Sequence, residues 1–463
     1  MQCENALREH ASITSMTAPR DADLMIARVS YRLFASAGRI MANTPKGKQV
    51  SVRVLLTSAG NGPSNNVARS LRAGCKSAFV VGCNDDQFVL KNSSADRNYV
   101  VPPPGHPRWA AALRRIVEAE GVELIVPIVD TDVIALSDVH RRLGRQLFLP
   151  RASVLDICRD KYRLIALLRR HGLAAPPSHP VKNLDDVGAI FRKLGAARPL
   201  WCRVRTGAGA LGALPVRTPG QARGWIRYWG EMRGIAAREF MLSEYLPGRD
   251  FGCQSIWQDG ELVLIKTYER LSYLGTGSQP AQVSSVAGLA KTVIAPEVVD
   301  VCAKAIRLLD RHASGVFSVD LKEDARGVPC ITEINAGRFS SATNIFDLAG
   351  RHNMVATFVR LARGERLRFD AAYDAVDDWY MLRDIDIPPR IFHASQFFDN
   401  VADVGQVSGS RPGGTGERGS KDHEHHDKKD GAAGKNVDQH RRHAEESGNT
   451  RAFARVPRRG EAV

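Results

Sequence analysis

Residues Gly315 to Phe339 read GVFSVDLKEDARGVPCITEINAGRF. Two strand-like runs flank a polar turn that contains Gly327, which is the pattern of a β-hairpin. In the first run Phe317, Val319 and Leu321 share one apolar face, so Asp320 points the other way. In the return run Glu333 and Asn335 are two apart and share a face. The hairpin therefore converges two carboxylates and one amide oxygen. Carboxylates repel unless something positive lies between them. Hard oxygen donors in small number, with room for water and phosphate, suit Mg²⁺, with Mn²⁺ as a substitute. The plainer alternative is that Asp320 and Glu333 pair with Lys or Arg on a solvated face.

Three upstream segments bear on that choice. CRVRTGAGALGALPV (202–216) places Gly207, Gly209 and Gly212 between two strand-like runs. Glycine permits close backbone approach, and exposed N–H groups cradle anions. The glycines open a second strand rather than a helix, so this is neither a P-loop nor a dinucleotide fingerprint. A glycine hairpin over phosphates fits better, and a flexible surface hairpin is the alternative. FMLSEYLPGRDFGCQSIW (240–257) is an apolar strand that ends at Glu244-Tyr245-Leu246, turns at Pro247-Gly248 and resumes after Asp250. Such a segment can hold a planar base with backbone groups, and Asp250 can accept from ribose hydroxyls; an ordinary hairpin with surface acids is the alternative. In CRDKYRLIALLRRHGLAAPP (158–177) Asp160 caps a helix with Leu164, Leu167 and Leu168 on one side, and Gly172 ends it. Lys161 in its first turn reaches a phosphate or is simply solvated.

The chain has 463 residues, 43% of them hydrophobic, enough for two or three packed domains. No apolar run reaches the roughly 18–20 residues that span a bilayer, so a soluble, cytoplasmic protein is expected. The eight cysteines are scattered without a Cys-x-x-Cys pair, which argues against a zinc framework or a disulfide scaffold. A net charge of +15 favours anionic partners. The charge is not gathered into an aromatic-interleaved patch, so nucleic acid is a poor expectation, and no membrane partner is expected. Residues 1–49 are expected to be a disordered or spurious leader. Residues 50–150 alternate strands and helices, the mark of βαβ units around a parallel sheet. Residues 151–362 read as α+β, and 363–404 as two further strands packing on them. Residues 405–463 lack Leu, Ile, Met, Trp and Tyr and are expected to be a disordered tail. The HEHH run (423–426) in that tail is a weak metal-binding candidate.

Taken in this order, the four elements resemble the ATP-grasp superfamily, in particular its carbamoyl-phosphate-synthase-like carboxylate–amine ligases. The resemblance covers roughly residues 52–362. It implies an α/β N-terminal domain of the pre-ATP-grasp type with a parallel sheet, followed by an α+β ATP-grasp domain. It implies ATP and Mg²⁺, with Asp320, Glu333 and Asn335 as the metal set. Lys161 matches the lysine that contacts ATP phosphate. Arg203 falls where the family usually has lysine, and Val204 where it usually has proline; Arg keeps the charge but presents a planar fork. Gly207, Gly209 and Gly212 match the flexible glycine loop. Glu244 and Leu246 match the hinge that cups adenine, and Asp250 stands where Glu more often meets the ribose. Arg338 resembles the arginine that steadies the transferred phosphate, although Ala336 and Gly337 separate it from Asn335.

The implied chemistry is ADP-forming ligation of a small carboxylate to an amine through an acyl phosphate, with Lys161, Arg203 and Arg338 as its catalytic cations. No Gly-x-Ser-x-Gly elbow points to a protein nucleophile. Substrate choice is expected in the strand-end loops Asn61–Asn66 and Asp130–Asp132 and in KTYERLSYLGTGSQP (266–280). There Lys266 and Arg270 could bind a carboxylate, and Gly275 and Gly277 suggest a lid. A homodimer is among the expected assemblies. The rivals are an ATP-binding regulatory protein without ligase activity, a kinase of a small carboxylate, and a nucleic-acid binder acting through the tail. Removing residues 405–463 is expected to leave activity intact.

Overall fold

The structure is a computed structural model, and it describes residues 52–143, 147–195, 198–275, 284–384 and 387–396. The leader, the tail with its HEHH run, and Gly277 lie outside the described residues.

The near-continuous apolar run VRVLL forms strand β1 (Val52–Leu56), and such runs suit a parallel sheet covered on both faces. With β2 (Ala78–Asn84), β3 (Arg97–Val100) and β4 (Leu124–Val126) it makes a parallel sheet in the order β3-β2-β1-β4. Helix α1 (Gly62–Gly74) follows β1, α2 (Trp109–Glu120) precedes β4, and α3 (Asp130–Leu143) follows it. Leu55, Val81, Leu113 and Leu136 fill one side of this layer, and Val54, Leu56 and Val67 fill the other.

Helices α4 (Ala152–Arg159) and α5 (Lys161–Arg170) lead out of it. Asp160 caps α5, accepting from the Tyr162 and Arg163 N–H groups, and Arg205 clasps the same carboxylate at 2.6 and 3.2 Å. On α5 the buried side is Leu164, Ile165 and Leu168, while Leu167 is only half-buried.

Two antiparallel sheets follow. The smaller contains β5 (Ser178–Pro180), β6 (Leu200–Val204), β7 (Leu214–Val216) and β8 (Phe240–Glu244) in the order β5-β8-β6-β7. Helices α6 (Asp186–Leu194) and α7 (Pro219–Arg233) cover it, and it has its own core around Phe191, Leu200, Phe240 and Leu242. The larger sheet runs β13-β12-β9-β10-β11-β14-β15. It contains β9 (Asp250–Gln258), β10 (Glu261–Tyr273), β11 (Ala287–Thr292), β12 (Gly315–Glu323) and, at one edge, β13 (Pro329–Ala336). Strands β14 (Trp379–Asp384) and β15 (Ile387–His393) extend it, so the C-terminal strands pair onto this sheet through β11. Helix α8 (Pro296–Leu309) packs on one face, where Trp257, Phe317, Leu164 and Ile306 share a core. Helices α9 (Thr343–Ala349) and α10 (Met354–Ala362) join the other face to the N-terminal domain. No helix among the described residues is long and apolar enough to cross a membrane.

Candidate active site

The acidic hairpin is β12–β13, and Asp320 pairs directly across from Glu333, with Ser318 across from Asn335. Phe317, Val319 and Leu321 are buried on the opposite face, as the alternation requires. The three candidate donors are thus brought together: Asn335 Nδ2 donates to Asp320 Oδ2 at 3.2 Å.

Each of the two carboxylates has cations of its own beside it. Lys161 Nζ is 3.3 Å from Glu333, and Arg203 is 3.8 Å from its other oxygen. Arg270 Nη2 donates to Asp320, and Arg338 Nη2 donates to Asn335 Oδ1 at 2.7 Å. Arg203 also donates to the Thr332 carbonyl at 2.7 Å, while its buried Nε has no hydrogen-bond partner among the described residues. Burial lowers the Arg203 pKa, and the charges of Glu333 and Asp320 resist that fall. Burial likewise works against the Arg338 cation, but Asp130, Glu333 and Asp320 outweigh it and raise its pKa.

The glycine segment is the β6–β7 connection, and Gly207, Gly209 and Gly212 all have positive φ (103°, 71° and 62°). Lys161 Nζ donates to the Gly207 carbonyl at 2.6 Å, which ties helix α5 to this turn. Strands β8 and β9 belong to different sheets, so Glu244, Tyr245 and Leu246 lie where the chain crosses between sheets, which excludes the ordinary-hairpin reading. A cavity of about 580 Å³ opens between these parts. Lys161, Arg203, Gly207, Gly209, Glu244 and Leu246 line it, and so do Asp250, Asp320, Glu333, Asn335 and Arg338.

Several expectations change. Lys266 does not line the cavity: it is 2% exposed, pairs with Asp374 at 2.9 Å and donates to the Phe346 and His352 carbonyls. A mid-strand position in a sheet covered on both faces hides even a lysine when a carboxylate is buried with it. Arg270 is in the cavity but is committed to Asp250, Asp320, Tyr268 and the Phe251 carbonyl. Asp250 in turn is held by Arg270 and the Tyr273 hydroxyl. Within 61–66 only Pro63 lines the cavity; Asn61 caps α1 and Asn66 is buried. In 130–132 only Asp130 does, because Asp132 is buried and accepts from Thr57 Oγ1 at 2.6 Å. Burial pushes the Asp132 carboxyl up, against the hydrogen bonds it accepts. Sequence reasoning did not single out Trp201, Tyr268, Ser318 and Ser340 as lining residues; Tyr268 and Ser318 lie inside the quoted 266–280 and 315–339 segments, and strand alternation with Asp320 could have marked Ser318.

The donor set fits magnesium. Two hard carboxylates and an amide oxygen face one cavity, with cations already neutralising them. Among the described residues no group of three or more His, Cys, Asp or Glu could hold a metal, so phosphate and water oxygens must complete any shell here.

Antiparallel sheets bring a glycine turn and an acid–amide hairpin to one cavity. No protein-family model matches the chain. Over 199 residues it is 28% identical to ribosomal protein bS6–L-glutamate ligase of Salmonella paratyphi B, covering 42% of this chain and 61% of that protein. The chain thus spans about six-tenths of the length of the curated relatives it matches. Biotin carboxylase of Campylobacter jejuni matches with a TM-score of 0.56 at 12% identity, over 72% of this chain and 75% of that one. L-amino acid ligase from Bacillus licheniformis matches with a TM-score of 0.54 at 13% identity, over 71% and 78%. These neighbours are ATP-grasp proteins, and the chain has the ATP-grasp fold that the sequence resemblance implied.

Proposed function

We propose that this chain is an ATP- and Mg²⁺-dependent carboxylate–amine ligase that releases ADP. The observation that carries the reading is the convergence of Lys161, Arg203, Arg338 and the glycine turn on the hairpin face bearing Asp320, Glu333 and Asn335. Cations beside carboxylates in one cavity suit a polyphosphate together with its metal. The bS6–L-glutamate ligase relative, by its name, supports ligation.

In this reading Glu244 and Leu246 hold adenine and Asp250 faces the ribose side. Lys161, Arg203 and the glycine-turn amides orient the phosphoryl oxygens. Magnesium, when bound through Asp320, Glu333 and Asn335, neutralises phosphate charge. An oxygen of the substrate carboxylate attacks the γ-phosphorus, and the bond to the β–γ bridging oxygen breaks, leaving ADP. Arg338 steadies the resulting acyl phosphate. The amine nitrogen attacks the acyl carbon, phosphate departs with the bonding pair, and the nitrogen gives its proton to solvent. Residues 50–150 serve as the first domain, 151–362 as the ATP-grasp domain and 363–404 as strands on it. A small carboxylic acid and an amine as substrates, cytoplasmic location and a homodimer belong to the same proposal.

The test is ADP release with MgATP against a panel of small carboxylates, with and without amines. Carboxylate-dependent release that yields an amide in the presence of an amine is expected. Glu333→Gln should lower turnover at least about 100-fold while the circular dichroism spectrum is kept. Unchanged turnover in that variant would sink the site, and ADP release that never consumes amine would make the chain a carboxylate kinase.

A further inference from the structure

We infer that Asp130, contributed by the N-terminal domain, is a positioning residue that sets the plane of the Arg338 guanidinium; the inference rests on the proposed phosphoryl-transfer reading. Arg338 Nε donates to Asp130 Oδ1, and Nη2 donates to Asp130 Oδ2 at 3.2 Å and to Asn335 Oδ1 at 2.7 Å. A two-point Arg–carboxylate contact fixes orientation as well as charge. The third nitrogen, Nη1, has no hydrogen-bond partner among the described residues, and Arg338 lines the cavity. Asp130 and Asn335 therefore grip one edge of the guanidinium and leave Nη1 for the transferred group.

The grip comes from a distant part of the chain, 208 positions away in sequence. Asp130 opens helix α3, where a carboxylate is favoured by the helix dipole. The turn beneath it is anchored two residues on: Asp132 accepts from Thr57 Oγ1 and from the Val129 N–H at 3.4 Å, which pins it to the end of β1. A second latch holds the other side in register, since Asn66 Nδ2 donates to the Ser341 carbonyl, three residues past Arg338, at 2.7 Å. The Asp130 side chain is 35% exposed and that of Arg338 16%, so the pair sits at the cavity wall rather than in a core.

A salt bridge that merely docks two domains would, when broken, weaken binding, turnover and stability together. A positioning residue has a different signature. Asp130→Asn removes a negative charge beside a polyphosphate site, which favours the anion, but it also lets the guanidinium rotate, which disfavours the transition state.

The experiment uses the full chain and compares the wild type, Asp130→Asn, Arg338→Gln and the double variant. Binding of Mg²⁺ with a non-hydrolysable ATP analogue is measured by calorimetry, and turnover as ADP release at saturating MgATP. Asp130→Asn should bind the analogue about 3- to 10-fold more tightly. Its turnover should fall about 10- to 100-fold. In the Arg338→Gln background the same change should lower turnover no further. Unchanged turnover, a drop that adds to that of Arg338→Gln, or weaker binding with a lowered melting temperature would each overturn the inference. A wild type that binds the analogue and turns over ATP upholds the phosphoryl-transfer reading even when the variants fail this inference; a wild type that does neither overturns both.

Discussion

Arg203 stands where the resemblance leads one to expect lysine, and its neighbours account for the longer side chain. One fork nitrogen bonds the Thr332 carbonyl on β13 while another stays 3.8 Å from Glu333. An ammonium would have to serve both from one nitrogen, whereas the planar fork serves them from two. Asp347 shows the opposite economy. Burial pushes its carboxyl up to about 6 from 3.8, although Lys266 and the backbone N–H groups of Met354 and Val355 pull it down. Its Oδ1 accepts from the Met354 N–H at 2.6 Å. A carboxyl raised on folding contributes stability below its unfolded pKa and loses it as pH rises through about 6. Asp347→Asn should therefore stabilise the fold by about 1–3 kcal/mol at pH 7.5 and by almost nothing at pH 4. Urea unfolding at the two pH values checks this, and an equal effect at both would refute it. Neither Asp347 nor Lys266 could be placed from sequence, because nothing local says that a charged residue in an apolar run has a buried counter-ion 80 or more positions away.

Among the elements, the acid–amide hairpin was legible because alternation fixes which residues share a face once a turn is located. Its exact pairing, Asp320 with Glu333 and a register shift after Asp320, was not, because a bulge adds a residue without a sequence mark. The glycine turn was legible as a turn but not in the division of labour among its glycines. A Cβ at Gly212 would sit 2.8 Å from Val204 Cγ2 and 2.9 Å from the Phe240 ring, whereas one at Gly209 meets nothing within 4 Å. Both have positive φ. Gly209→Ala should cost about 1 kcal/mol for its backbone alone. Gly212→Ala should cost about 2–4 kcal/mol, because overpacking adds to the strain. Thermal melts of the two variants decide it, and equal losses would show that contact at Gly212 is irrelevant.

At the scale of the whole molecule, the N-terminal domain is fastened to the large sheet by buried amides as well as by apolar packing. Asn344 is fully buried; its Nδ2 donates to the Asn66 carbonyl at 3.1 Å and to Ser70 Oγ at 3.3 Å, and its Oδ1 accepts from Arg69. Asn353 donates to the Ser70 carbonyl at 2.7 Å. Helix α1 comes so close to α10 that a Cβ at Gly74 would lie 2.5 Å from the Asn353 side chain. Asn344→Ala should cost about 2–3 kcal/mol, since it leaves buried groups on α1 without partners. Denaturant titration reads that loss, and a change below about 0.5 kcal/mol would mean that water replaces the amide.

The sequence by itself determined the order of the parts: an α/β layer, a capped helix, a glycine hairpin, a crossing strand and an acid–amide hairpin. Each of these rests on local physics, namely period-two alternation, end caps and glycine torsions, which a few neighbouring residues encode. Only the tertiary structure decided which charges meet. It put Asp130 on Arg338, Arg270 on Asp320 and Lys266 on Asp374. Ion pairing depends on distance in space, and chain separations of 50 to 208 residues leave no trace of it along the sequence.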